Sequence, residues 1–93
     1  MKLVWTSEAM NDRFAIFDFV AGDDPGAALA LDDFFIEKAG TLLEYPETGR
    51  VGRVAGTREY VVHRSYVLIY EVTDGVVYIP GILNSARKWP PDG

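Results

Sequence analysis

The residues best suited to chemistry lie in the stretch GTREYVVHRSYVLIYEV, residues 56–72. This stretch contains the only histidine of the chain, His63, and Tyr60 stands three residues before it. His63 could act as a general base, although an exposed strand end next to a turn explains it more simply.

A second candidate group consists of three arginines, Arg50, Arg53 and Arg58, with the C-terminal pair Arg87 and Lys88. If they converged at one end of a sheet, they would form a patch able to meet phosphate, an acidic segment of a partner or the acidic surface of a target protein. Trp89 follows them directly and is interpreted as a core plug or as an interface anchor. The alternative is that each arginine makes a surface ion pair of small energetic value.

Metal and thiol chemistry is not expected. The chain has no cysteine and a single histidine, and its carboxylates show no ligand-like spacing. We therefore expect no metal site, no cofactor and no disulfide bond. The absence of cysteine also fits a reducing cytoplasm.

Length and composition predict one folded domain. The chain has 93 residues, of which 48% are hydrophobic and 25% charged, as in a globular domain spanning residues 1–93. It contains neither a signal-peptide pattern nor a membrane-spanning apolar run, so we expect a cytoplasmic protein without membrane contact. Residues 1–49 carry three basic and ten acidic side chains, and residues 50–93 carry six basic and four acidic. Two faces with different partners are one explanation, and solvated helix faces are the other.

The first half of the chain predicts a short strand and a first helix. The strand covers residues 3–5. The helix is expected to begin at Ser7 as its N-cap, and GlyAspAsp at 22–24 ends it. Its apolar stripe is predicted to consist of Met10, Phe14, Phe17 and Ala21. Asp12 lies off this stripe.

A second helix is predicted from the Asp24-Pro25 pair, an N-cap followed by proline at the first helical position. Its apolar stripe is predicted to consist of Ala28, Leu31, Phe35, Ala39 and Leu42. The helix should end before Pro46. A turn this short between two helices makes them an antiparallel hairpin.

The second half of the chain predicts a loop over residues 47–56 and then three strands. These strands cover residues 58–63, 65–72 and 76–83. Thr73-Asp74-Gly75 predicts a tight turn, and Pro80-Gly81 predicts a bulge or a kink. The fold class is therefore α+β, in the order β-α-α-β-β-β, with an antiparallel sheet and the helical hairpin packed on one face.

The aromatic residues of the middle strand are interpreted mostly as core. Tyr66, Leu68 and Tyr70 alternate with the other side chains of that strand, which is the spacing of ordinary packing rather than of a base-stacking surface. The two helices carry more large apolar groups than one sheet face needs. We therefore expect Phe19, and Phe34 or Ile36, to be exposed in the isolated chain, where a partner helix could bury them.

The order of several motifs resembles the RelE/ParE superfamily of type II toxin–antitoxin toxins, which includes plasmid stabilisation modules. The motifs are VWTSEA, DDPGAALAL, LLEYPETGRVGRVAGTRE, YVLIYEV and ILNSARKWP. The resemblance implies a small cytoplasmic toxin that forms a hetero-oligomer with a cognate antitoxin. One branch, RelE-like, cleaves messenger RNA in the ribosome, whereas the ParE-like branch inhibits DNA gyrase.

Comparison with the superfamily places the chain nearer to the ParE-like branch. The resemblance implies histidine where the chain has Asn84, arginine where it has Val67, and a basic residue where it has Tyr60. Asparagine cannot exchange a proton near neutral pH, so the ribonuclease set is incomplete. Arg87 does match a basic position of that branch.

We therefore expect a toxin that inhibits growth by binding DNA gyrase, without a catalytic reaction of its own. The expected target-binding residues are Arg58, Arg87, Lys88 and Trp89. The expected antitoxin-binding residues are Phe19, Phe34, Ile36, Arg50 and Arg53. One alternative is a ribosome-dependent mRNA endonuclease that uses Arg87 with His63 or Tyr60. Another is a toxin whose activity is weakened by Asn84 and by the Pro80-Gly81 break.

Overall fold

Two helices and a five-stranded sheet make up the computed structural model, which describes residues 1–85. The helices are α1 (Ser7–Ala21) and α2 (Pro25–Thr41). The strands are β1 (Lys2–Trp5), β2 (Arg50–Val51), β3 (Arg58–His63), β4 (Tyr66–Thr73) and β5 (Val76–Asn84). This arrangement confirms the predicted α+β class with a helical hairpin between the first strand and the meander.

The sheet has the strand order β1-β5-β4-β3-β2. β3, β4 and β5 form the predicted antiparallel meander. β1 joins it parallel to β5, with Lys2 opposite Val76, so the whole sheet is mixed rather than purely antiparallel. The segment predicted as a loop contains β2, which pairs antiparallel with β3 through Arg50 and Glu59.

The start of α1 differs from the prediction, because Thr6 rather than Ser7 is the N-cap. The Thr6 side chain accepts a hydrogen bond from the backbone N–H of Ala9 at 3.2 Å and donates one to the carbonyl of Ile79 at 3.1 Å. One threonine therefore satisfies an end group of the helix and also ties that end to β5.

The predicted apolar stripe of α1 does not face the sheet. Phe14 is 64% exposed, whereas Ala9 is fully buried and Ile16 packs against the main core. α1 carries apolar side chains on two flanks. The helical spacing of the larger side chains predicted the outer flank as the buried one. Asp12, predicted to lie off the buried face, points to the sheet and accepts a hydrogen bond from the backbone N–H of Ile82 at 2.9 Å.

α2 follows its prediction closely. The Asp24 carboxylate accepts a hydrogen bond from the N–H of Ala27 at 3.1 Å, and Pro25 is the first helical residue. The predicted stripe is inward-facing: Leu31 is half-buried, and the buried members are Ala28, Phe35, Ala39 and Leu42.

A charged clamp joins the two helices. The Arg13 guanidinium donates two hydrogen bonds to Asp32, Nε to Oδ1 at 2.9 Å and Nη2 to Oδ2 at 2.8 Å. Its central carbon lies 4.7 Å from the centre of the Trp5 ring, which adds a cation–π contact. The bonds to Asp32 raise the pKa of Arg13 above its ordinary value. This fork fixes the helices relative to each other and to β1.

The meander confirms the predicted turn and bulge. Asp74 and Gly75 have φ values of 50° and 74°, as the tight turn of a two-residue hairpin loop requires. Further along β5, Ile69 pairs with Gly81 and Glu71 pairs with Tyr78, so Ile79 and Pro80 together stand opposite the single residue Tyr70. A bulge suits a proline, which has no N–H for the ladder.

The core lies between the helices and one face of the sheet. Tyr66, Leu68 and Tyr70 point to this side, and Tyr66 packs edge-on against Phe35 with ring centres 5.5 Å apart. These aromatic residues are therefore core, as interpreted from their spacing. A second buried cluster occupies the other sheet face: Val67, Ile69 and Leu83. Of the helices within residues 1–85, none is long and apolar enough to cross a membrane.

Candidate functional site

The predicted arginine cluster is organised by a buried carboxylate on β3. Glu59 is 2% exposed and accepts hydrogen bonds from Nη2 of Arg50 at 3.1 Å and from Nε and Nη2 of Arg53, both at 3.1 Å. The backbone N–H of Arg53 adds a bond of 3.0 Å. The bonds from Arg53, with those from Arg50, lower the pKa of Glu59 to about 2. Glu59 is thus ionised at neutral pH and neutralises part of the cluster.

The segment that carries these arginines, residues 49–53, is named the arginine strap. Its first residue is fixed by Tyr70, whose hydroxyl donates to the carbonyl of Pro46 and accepts from the N–H of Gly49, each at 2.8 Å. A Cβ at Gly49 would lie 2.7 Å from the Tyr70 ring and 2.9 Å from the carbonyl oxygen of Glu59. Glycine is therefore required where the strap crosses the Tyr70 ring.

Arg58 lies beside the strap but makes different contacts. Its Nη1 donates to the carbonyl of Gly49 at 2.7 Å and more weakly to that of Glu47 at 3.5 Å. The side chains of Arg50 and Arg53 are 61% and 50% exposed, so each guanidinium still presents N–H groups to solvent. The structure thus brings the three arginines together, and Glu59 leaves the group with a positive excess.

Two residues of the alternative catalytic set, His63 and Tyr60, lie on β3. His63 Nδ1 accepts a hydrogen bond from the N–H of Ser65 at 3.0 Å, and its ring lies 5.6 Å from that of Tyr66. Tyr60 is half-buried and packs against the main core. Arg87, like Lys88 and Trp89, lies outside the described residues.

Within residues 1–85, histidine and acidic side chains form no group of three that could hold an ion.

A groove of about 350 Å³ runs between α1 and the strands β4 and β5, and it is named the sheet groove. It is lined by Asp12, Ala15, Ile16, Phe19, Tyr66, Ile82 and Asn84. Phe19, at its rim, is 79% exposed. Sequence reasoning missed Asp12, yet its place between Ala9 and Ile16, at helical spacing from both, was a signal that it shares their face.

The three apolar residues predicted to bind a partner do not form one patch. Phe19 lies on α1, whereas Phe34 and Ile36 are two residues apart on α2 and point to opposite flanks of that helix, since each residue turns about 100°. Ile36 is 44% exposed. Phe34 is half-buried, and Lys38 Nζ lies 5.3 Å from the centre of its ring.

Comparison with known proteins gives consistent matches. Residues 3–89 match the profile of the family described as the ParE toxin of the type II toxin–antitoxin system parDE. The protein named Toxin RelE2 from Caulobacter vibrioides is 41% identical over 86 residues, covering 92% of this chain and 97% of the relative.

Two solved structures share the fold. A chain from the chromosomal ParDE TA system of P. aeruginosa has a TM-score of 0.80 at 27% identity, covering 90% of this chain and 95% of that one. A chain from the toxin–antitoxin complex RelBE2 of Mycobacterium tuberculosis has a TM-score of 0.61 at 22% identity, covering 89% and 95%. The protein described here therefore belongs to the family of ParE toxins of type II toxin–antitoxin systems, within the RelE/ParE superfamily that its motifs resemble.

Proposed function

We propose that this toxin arrests growth by binding a protein target, DNA gyrase, rather than by cleaving RNA. The observation that carries the proposal is the state of His63. Its Nδ1 lone pair is already used by the N–H of Ser65. In the neutral ring the other nitrogen must then carry the proton, so His63 cannot accept a proton from a ribose hydroxyl without losing that bond.

The charge distribution supports the same proposal. Arg50 and Arg53 share the carboxylate of Glu59, and Arg58 is bonded to backbone carbonyls. Binding a polyanion requires several cations that are free to contact phosphates. Glu59 lowers the net charge of the cluster, so few phosphates could be neutralised there, whereas the exposed N–H groups of Arg50 and Arg53 can still bind carboxylates of a partner protein. We place the target contact at Arg58 together with Arg87, Lys88 and Trp89.

We further propose that a cognate antitoxin neutralises the toxin in two places. An apolar helix of the antitoxin would enter the sheet groove beside Phe19, and an acidic continuation would bind Arg50 and Arg53 of the arginine strap. β2 is an edge strand, and β3 separates it from the β4–β5 side of the groove, so we assign the two contacts to different segments of the antitoxin. Phe34 and Ile36, on other flanks, are not part of this surface.

The experiment compares the two targets directly. The purified chain is added to a gyrase supercoiling reaction and, separately, to a translating ribosome system in which mRNA integrity is followed. We expect loss of supercoiling with intact mRNA. Ribosome-dependent mRNA cleavage that Arg87→Ala abolishes would replace the proposal with an endonuclease.

The endonuclease alternative retains one supporting observation, the relative named Toxin RelE2 at 41% identity. If this alternative holds, His63→Ala and Tyr60→Phe should also reduce mRNA cleavage. If the chain is a weakened toxin, Asn84→His combined with Pro80→Leu should increase growth arrest. Unchanged growth arrest would remove that third hypothesis.

A further inference from the structure

The hydroxyl of Tyr70 is a buried polar group that the function proposed above does not use. Tyr70 lies on β4, and its side chain is fully buried in the main core. A hydroxyl in such a place costs free energy unless it is hydrogen-bonded, and phenylalanine would fill the same space without that cost. The ring therefore serves the core, and the hydroxyl needs a separate explanation.

The explanation lies in the two hydrogen bonds of this hydroxyl. It donates to the carbonyl of Pro46 and accepts from the backbone N–H of Gly49, each at 2.8 Å. Both partners are backbone groups of the segment that leads into the arginine strap, and the two bonds use the donor and one acceptor site of the hydroxyl. A side chain of β4 thus fixes the position at which the strap begins, 21 residues earlier in the chain.

Two further side chains hold the strap. The carbonyl of Gly49 accepts a hydrogen bond from Nη1 of Arg58 at 2.7 Å, and the backbone N–H of Arg53 donates to the carboxylate of Glu59 at 3.0 Å. Arg58 and Glu59 lie at the start of β3, whereas Tyr70 contacts the strap from the next strand. Loss of the Tyr70 hydroxyl would therefore loosen the start of the strap and leave these other contacts in place.

The start of the strap sets the position of Arg50. This residue directly follows Gly49, and its guanidinium donates to Glu59 at 3.1 Å while its side chain remains 61% exposed. Arg53 shares the same carboxylate and is 50% exposed. An arginine binds a carboxylate of a partner more strongly when its N–H groups are already aimed, because ordering a mobile segment on binding opposes the contact. The order of the strap before binding therefore affects its affinity for an acidic partner.

We propose that Tyr70 is a positioning residue for antitoxin binding, acting through the arginine strap. Its hydroxyl keeps the backbone at Gly49 ordered, so that Arg50 presents its guanidinium in one arrangement to an acidic segment of the antitoxin. Because Tyr70 is fully buried, it acts without touching the antitoxin. The inference rests on the proposed function, in which that acidic segment binds Arg50 and Arg53.

The test is calorimetric titration of the full-length chain and its variants with the cognate antitoxin. Tyr70→Phe keeps the ring and removes the hydroxyl, and we expect the affinity to fall roughly threefold to tenfold, because the strap must then be ordered on binding. Amide hydrogen exchange at Gly49 in the free chain should become faster, since this N–H loses its acceptor. Tyr78→Phe removes a hydroxyl from β5, which β4 and β3 separate from β2, and this matched control should leave both quantities unchanged.

A double-mutant cycle separates positioning from a general structural effect. In a chain that carries both Arg50→Ala and Arg53→Ala, the positioned groups are absent, so Tyr70→Phe should not lower the affinity further. A loss of stability alone would lower the affinity equally in both backgrounds. The effect of Tyr70→Phe should also shrink at high salt, which screens the contact between exposed arginines and carboxylates.

The outcomes distinguish this inference from the proposed function. Wild-type affinity in the chain with Arg50→Ala and Arg53→Ala would overturn the strap contact of the proposed function, and the positioning role with it. A loss of affinity in that chain together with wild-type affinity in Tyr70→Phe would overturn the positioning role alone, as would equal effects of Tyr70→Phe in both backgrounds.

A second variant keeps the test decisive if circular dichroism shows that Tyr70→Phe does not fold. Gly49→Ala then replaces it, because the added Cβ would lie 2.7 Å from the Tyr70 ring and would displace the start of the strap. The same loss of affinity is expected in the otherwise wild-type chain, and no further loss where both arginines are alanine. Wild-type affinity in Gly49→Ala, or equal losses in the two backgrounds, would overturn the positioning role.

Discussion

Glu59 and Arg53 are joined by three hydrogen bonds, two from the guanidinium and one from the backbone N–H of Arg53, at 3.0–3.1 Å. The acceptor lies on β3 and the donors lie in the arginine strap, so the contact closes the loop between them. A buried carboxylate that accepts several charged and backbone donors stays ionised and holds those donors in place. The strap therefore has a defined geometry without regular secondary structure beyond two residues.

The first prediction concerns Glu59→Gln. Glutamine has the same size but no charge, and its amide NH₂ faces a guanidinium that also needs an acceptor. We expect the free energy of unfolding, measured by urea denaturation near neutral pH, to fall by about 1–2 kcal/mol, because the arginines are half-exposed and partly screened. Glu44→Gln, at an exposed turn position, should change it by less than about 0.5 kcal/mol. Equal effects would show that the Glu59 network is not stabilising.

The second prediction concerns pH. The folded pKa of Glu59 is about 2, below the ordinary value of 4.5. A lowered folded pKa contributes stability that is complete above the unfolded pKa and is lost as pH falls through the folded pKa. The stability advantage of the wild-type chain over Glu59→Gln should therefore shrink as pH falls from about 4.5 towards about 2. Urea denaturation curves recorded across this range provide the measurement, and a constant difference would contradict the assignment.

Two glycines give the third prediction, with opposite signs. Alanine at Gly49 would place its Cβ 2.7 Å from the Tyr70 ring and 2.9 Å from a backbone oxygen of Glu59, and we expect a loss of about 1–3 kcal/mol or more. Alanine at Gly40, in α2, meets nothing within 4 Å and should stabilise the chain by about 0.5–1 kcal/mol. Thermal unfolding of the two variants provides the measurement. Similar stabilities would mean that Tyr70 does not constrain the strap.

The elements that sequence reasoning predicted well depend on local signals. Asp24-Pro25 fixes the start of α2 because the carboxylate caps a helix only a few residues away. Asp74 and Gly75 fix the turn because their own φ values allow it. β2 has no such signal. Its two residues form a strand because Tyr70, 21 residues further along the chain, holds Gly49 in place and the buried carboxylate of Glu59 holds Arg53.

The candidate site was predicted by residue type more than by arrangement. Arginines that cluster in the sequence do come together, yet their spacing does not reveal that Arg50 and Arg53 would share Glu59. Glu59 carries no sequence signal of burial, since charged residues are normally solvated. The prediction of which face of α1 is buried was wrong for a related reason. Periodicity identifies an apolar flank, but it cannot say which of two flanks meets the sheet.

The fourth prediction concerns Asp12→Ala, which removes the acceptor for the N–H of Ile82. That N–H follows the bulge at Pro80, and without Asp12 it is left without its side-chain acceptor at the join between α1 and β5. We expect a loss of about 1–2 kcal/mol and faster amide hydrogen exchange at Ile82. Asn11→Ala, the exposed neighbour, should alter neither quantity by a comparable amount. Unchanged exchange at Ile82 in Asp12→Ala would show that this bond does not hold α1 on the sheet.

The fifth prediction concerns the sheet groove. Phe19 is 79% exposed in the isolated chain, so its removal should not disturb folding. If the antitoxin buries it, Phe19→Ala should weaken the toxin–antitoxin complex roughly tenfold to a hundredfold, the usual loss when an aromatic side chain buried by a partner is truncated. Phe14→Ala, on the outer flank of the same helix, is the matched control and should keep wild-type affinity in calorimetric titration. A loss of affinity in Phe14→Ala with wild-type binding in Phe19→Ala would place the antitoxin on the outer flank of α1, since each variant removes one exposed ring from one side of that helix.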